Sequence, residues 1–187
     1  PPGACAQPAA PPSVDEERRA LVEDMHRDRA WAVVPQPAQK AIDQILSTER
    51  SPALEAEMKR LIAQPGFSTR LTADARDSLI ELRRLSPERA ADVNKKFNDL
   101  SFLFSGAGYS RLAPEDQAAV RLTLSQRPTL AKSLGELVSD PMFRGLDQRT
   151  KADIFDRIQK APSEAKALGV LASEKMNLTA ASMGANA

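Results

Sequence analysis

The chain has 187 residues, 42% of them hydrophobic, 27% charged and only 4% aromatic, with 26 Lys and Arg against 25 Asp and Glu. That is enough apolar material for one ordinary soluble core. A formal net charge of +1, spread evenly along the chain, excludes the basic excess of a phosphate-backbone reader, and no apolar stretch is long enough for a membrane span or a signal peptide. The single cysteine, Cys5, rules out an internal disulfide and a cysteine-rich zinc site, and leaves the compartment open. No alternating β-branched run bounded by turn residues occurs, so an all-α fold is expected.

Residues 1–12 are Pro, Ala, Gly and Gln and read as an extended linker. Gly3-Ala4-Cys5 has Pro2 where a lipoprotein signal would place an aliphatic residue, and a chain starting at Pro1 reads as a piece of a longer protein. From Ser13 to Ala30 a charged segment with Val14, Leu21, Val22 and Met25 predicts a half-apolar helix, the second half of an incomplete leading repeat.

The register from Trp31 onward repeats. Tyr109, Leu112, Gln117, Val120, Leu124, Pro128, Leu134 and Leu137 recur 34 positions later as Phe143, Leu146, Lys151, Ile154, Ile158, Pro162, Leu168 and Leu171. Upstream, Phe67, Leu71, Arg76, Leu79, Leu82, Pro87, Val93, Phe97 and Leu103 keep that order, as do Trp31, Val34, Gln39, Ile42, Leu46, Pro52 and Leu61. Units 31–66, 67–108, 109–142 and 143–176 follow, and self-similarity at this period marks stacked helix pairs. The expectation is an α-solenoid-like array of helical hairpins, eight or nine helices in all. The Trp-Leu-Gly-Tyr-Ala pattern of tetratricopeptide repeats and the glycine-bearing loop of repeats that read one base per unit are both missing.

In each unit a first helix starts after the aliphatic residue, with Thr72, Asp147 and the Ala113-Pro114-Glu115-Asp116 run as suitable starts. Ser51-Pro52 and Ser86-Pro87 predict capped entries to second helices, and Pro65-Gly66, Gly106-Ala107-Gly108 and Pro141 end them. The second unit carries seven extra residues between Pro87 and Leu103. Seven residues are close to two turns and slip an apolar face by only ~20°, so one helix from Pro87 to Phe104 is expected, roughly 10 Å longer than its neighbours and protruding. Residues 177–187 are small and polar and are expected to fray.

The chemistry-bearing residues are few. His26 is the only histidine, on a charged helix, where a solvated imidazole is expected. Acidic residues form pairs such as Glu55 with Lys59 at i, i+4, no Gly-rich phosphate loop is present, and neither a cofactor nor a metal site is expected. The candidate interaction surface is Phe102, with Arg83 and Arg84 on the preceding helix and Phe97 and Phe104 beside it. On a continuous helix from Val93, Phe97, Leu100, Leu103 and Phe104 form one stripe and Phe102 falls about 180° away. Phe102 is then either buried against a second neighbour, the plainer outcome, or exposed as a contact point. The functional expectation is a non-catalytic helical-repeat module for protein–protein interaction or spacing within a larger protein, with an unidentified protein partner and no nucleic acid. Two alternatives are an enzyme or toxin domain with carboxylates in a groove between repeats, and a nucleic-acid-binding helical domain using Ser86 to Phe97 as the second helix of a helix-turn-helix.

Overall fold

A computed structural model describes residue 3 and residues 6–185. Cys5 and much of the start of the expected linker lie outside the described residues, as do the last two residues of the chain. Twelve α-helices and three 3-10 turns make up the described chain, without a strand, so the helix number exceeds the eight or nine expected. No helix of the described residues is long and apolar enough to cross a membrane.

Residues 6–13 have no regular structure. Helix α1, Val14–His26, begins in a capping box: Ser13 Oγ accepts from the Glu16 amide and the Glu16 carboxylate accepts from the Ser13 amide at 2.7 Å. It packs on α2, Gln36–Glu49, and α3, Pro52–Ile62. Its apolar contribution is thin, with Met25 the one fully buried side chain, and its end is pinned by polar contacts. The exposed His26 stacks on Trp31 with ring centroids 4.7 Å apart and its Nε2 lies 2.8 Å from Asp43 Oδ1 of α2. Lys59 Nζ of α3 reaches Asp24 at 2.5 Å and Glu55 at 2.9 Å, the latter being the i, i+4 pair expected from the spacing.

The residues in register play equivalent parts. Trp31, Phe67, Tyr109 and Phe143 are all buried, each in a short turn ahead of a first helix. Eight or nine positions later a polar side chain donates to a carbonyl of that turn: Gln39 to Trp31 O, Arg76 to Leu71 O, Gln117 to Tyr109 O and Lys151 to Arg144 O, at 2.6 to 3.1 Å. Each bond ties the first helix to the turn ahead of it and helps fix its entry angle; Trp31 O and Tyr109 O also accept from the Val34 and Leu112 amides. The apolar pairs Ile42 and Leu46, Leu79 and Leu82, Val120 and Leu124, and Ile154 and Ile158 are buried on α2, α4 (Ala73–Leu85), α8 (Pro114–Gln126) and α11 (Gln148–Lys160). These four helices pack in chain order, each against the next. The bounds of α8 and α11 differ by the 34 positions of the sequence repeat, as do those of the short helices α7, Ala107–Ser110, and α10, Pro141–Arg144. Ser51, Thr72 and Asp147 cap their helices as the sequence suggests, accepting from Leu54, Ala75 and Thr150 amides.

Four expectations need correction. The helix expected from Pro87 to Phe104 is three elements: a 3-10 turn Pro87–Arg89, α5 (Ala90–Lys95) and α6 (Phe97–Ser105), separated at Lys96 with φ −100 and ψ 12. The seven added residues form α5 instead of lengthening α6, which has the nine residues of its counterpart α9, Ala131–Ser139. The break at Lys96 comes two residues after Asn94, whose side-chain oxygen accepts from Arg83 and from Gln64 and so ties α5 to α4 and to the end of α3. Second, Ser86 is buried and makes no side-chain cap, because the chain enters a 3-10 turn there. Third, Leu168 is 39% exposed, whereas its counterpart Leu134 is buried between α6 and α9. Leu168 lies on α12, Glu164–Ala185, which packs on α9 and α11 and has no helix on its outer side among the described residues. Fourth, residues 177–185 continue α12 instead of fraying, and Leu178 is buried, with α10 among the elements that α12 packs against.

One residue of the turn after α2 is strained. Arg50 ends the helix at φ 48 and ψ 40, a left-handed position that a Cβ disfavours. Arg50→Gly is expected to raise stability by about 0.5 kcal/mol in a urea titration, the relief of strain exceeding the added freedom of the unfolded chain. The Arg50–Glu17 pair lost with it is exposed and 3.9 Å long. A drop of similar size would show that the left-handed turn is not limiting.

Candidate functional site

Phe102 is 68% exposed, so the second-neighbour burial weighed for it does not occur. It stands on α6, and its ring leans on Gly135 of α9, where an added Cβ would lie 3.7 Å from Phe102 Cδ1. The missing side chain at Gly135 leaves room for the ring to lie low along the helix pair. Among the described residues nothing covers its outer face.

The other expected members do not join it. Arg83 is fully buried: Nη1 donates to Glu57 Oε2 and to Ala90 O, both at 3.3 Å, and Nη2 donates to Asn94. Burial pushes its guanidinium down to about 10, with Glu57 opposing that effect, so it stays charged at neutral pH. It ties α3, α4 and α5 together and presents nothing to a partner. Arg84 turns toward α2, bonding Glu49 at 3.0 Å and Glu81 on its own helix at 2.6 and 2.9 Å; those bonds hold its guanidinium above the usual range. Phe97 and Phe104 are core residues, Phe104 meeting Tyr109 edge to face at 4.9 Å. Of the five candidates, Phe102 is the one largely exposed, and it lies on the α9 side while the half-buried Arg84 lies on the α2 side.

Sequence reasoning missed a second place. Between α2 and α4, and bounded by α8, runs a groove of about 540 Å³. Ala41, Ile45 and Ile80 supply its apolar surface, with Lys40 and Gln44 from α2, Asp77, Ser78 and Glu81 from α4, and Arg121 from α8. It adjoins a smaller hollow of about 220 Å³ through the shared Asp77, Ser78 and Arg121. Desolvation by the surrounding helices, and then the charge of Asp74, raise Asp77 above its ordinary value. Glu81 is held below its own by hydrogen bonds from Arg84. Lys40, Asp77 and Glu81 fall opposite the core stripes of their helices, so each read as a solvated face; only the packing of α2 beside α4 turns those faces into one groove.

Compared with known protein families, with characterised proteins and with solved structures, the chain matches none. The geometry of its own residues therefore carries the functional reading.

Proposed function

We propose that this chain is a non-catalytic helical-repeat module, an α-solenoid-like stack of helical hairpins that serves protein–protein interaction or spacing within a larger protein. The observation that carries the reading is Phe102: a large aromatic ring held on a rigid helix, with no packing role that requires it to face outward. Aromatic side chains supply much of the binding energy at interface centres, and a ring already braced against α9 loses little freedom on binding. The ordered packing of first helix on first helix supports the stack, because each unit then buries its apolar stripe against its neighbours. Binding is favoured over carboxylate catalysis because Glu81, the acid nearest in kind to Asp77 in the groove, is committed to Arg84. Of the basic residues at and just before the Ser86 to Phe97 segment of the helix-turn-helix alternative, Arg83 is buried and cannot reach a phosphate, and Arg84 is tied to Glu49 and Glu81.

Phe102→Ala is expected to change unfolding stability by no more than about 0.5 kcal/mol, as for a surface position. A photo-crosslinking phenylalanine analogue at Phe102, in extract of the source cells, should yield a discrete adduct that excess unlabelled chain suppresses. A stability loss of about 3 kcal/mol would make the ring structural, and the absence of any discrete adduct would remove Phe102 as a contact.

A further inference from the structure

We infer that the groove between α2 and α4, bounded by Arg121 of α8, binds an extended segment of a partner polypeptide that carries one carboxylate and one cationic side chain a few residues apart. This extends the interaction reading to a second surface and rests on it only in taking a polypeptide as the ligand.

Arg121 is built for such a role by its surroundings. Its Nη1 donates to Tyr109 Oη at 2.8 Å, and Tyr109 Oη lies 3.2 Å from Ser78 Oγ, so the guanidinium is oriented by a relay anchored in the core. The half-buried arginines of α4, by contrast, have an acceptor of full strength: Arg76 a backbone carbonyl, Arg84 two carboxylates. Arg121 bonds a phenol, and among the described residues neither it nor Lys40 makes a direct ion pair, although Arg121 stands near enough to Glu81 for its charge to help hold that carboxylate down. Four of its five N–H donors are therefore left for a ligand, and a planar fork of donors matches a carboxylate. Asp77, an acid on the α4 wall beside Glu81, makes no direct ion pair among the described residues; the charge of Arg76 acts on it without a hydrogen bond between their side chains. Between these charges lies the apolar surface of Ala41, Ile45 and Ile80, suited to an aliphatic side chain. The volume falls in the range that holds a short ligand segment. Opposite charges on facing walls select a segment of mixed charge, whereas a polyphosphate chain would meet Asp77 and Glu81 with repulsion.

The test uses the full chain and a set of fluorescent hexapeptides in which one glutamate and one lysine flank a leucine at spacings of one to three residues, in either order. At least one spacing should bind in fluorescence anisotropy, while the same peptides with both charges replaced by alanine should not. Arg121→Gln and, separately, the exposed Lys40→Gln should each weaken binding, by about tenfold for Arg121. Arg121→Glu should instead prefer the peptide whose glutamate is exchanged for lysine. Unchanged thermal unfolding of Lys40→Gln keeps the result interpretable if the Arg121 variants lose the Tyr109 bond and fold poorly. The inference is overturned if no peptide binds at millimolar concentration, if binding ignores both substitutions, or if an oligothymidylate displaces the peptide more strongly than the unlabelled peptide does. Failure here with a surviving Phe102 adduct would remove the groove alone; peptide binding without that adduct would remove the Phe102 contact alone.

Discussion

Arg83→Ala is expected to cost about 3–5 kcal/mol, the range for removing one partner of a buried ion pair. Its loss removes a donor from Ala90 O, leaves the Asn94 side-chain oxygen with Gln64 alone, and leaves Glu57 with only the exposed Arg60. The truncated stem also leaves a cavity between α3, α4 and α5. Arg83→Met paired with Glu57→Gln should recover a large share of the loss, because it keeps the volume and removes both charges together. A double-mutant cycle read from urea midpoints measures the coupling. Independent losses from the two single substitutions would mean that Arg83 acts by volume alone.

Gly108→Ala is expected to cost about 3 kcal/mol, at the upper end for overpacking. A Cβ at this position would lie 2.2 Å from Val138 O and 2.6 Å from Val138 C, both backbone atoms of α9 that cannot swing away as a side chain would. The short helix α7 must then back out of its seat, taking the buried Tyr109 with it. Gly135→Ala is the matched control. The nearest atom there would be Leu103 Cβ at 3.6 Å, an ordinary contact, and alanine in a helix interior gains up to about 1 kcal/mol over glycine. Thermal unfolding of the two variants should therefore move in opposite directions. A Gly108→Ala melting point within a degree or two of the parent would show that α7 and α9 are free to separate.

The parts of this protein legible in its sequence are those set by local periodicity. Ile42, Leu79, Val120 and Ile154 are buried because apolar positions spaced by a helical turn can satisfy water exclusion only on one face, and that face is written in the spacing. Ser51, Thr72 and Asp147 cap because an oxygen beside a helix start finds orphan amides whatever the tertiary context. The aromatic residues that open the units are buried for the same reason, and the 34-position offset reappears in the helix bounds.

What tertiary structure alone decided lies where two distant segments compete for one group. Arg83 of α4 and Gln64 after α3 both reach the side-chain oxygen of Asn94, and sequence spacing contains no term for either bond. Arg83 and Arg84 are adjacent on one helix, yet one is sealed in the core and the other tied to α2, a difference of about 100° of rotation that matters only once α3 and α5 are in place. Leu168 shares its register with Leu134 but borders an open side, since α12 has α9, α10 and α11 against its inner side and, among the described residues, no helix on its outer one. Phe102 could be placed off the stripe from sequence, but its exposure depended on whether another element reached it. The groove with Arg121 was not legible at all, because its walls are the polar faces of three helices that become one surface only when those helices stand side by side.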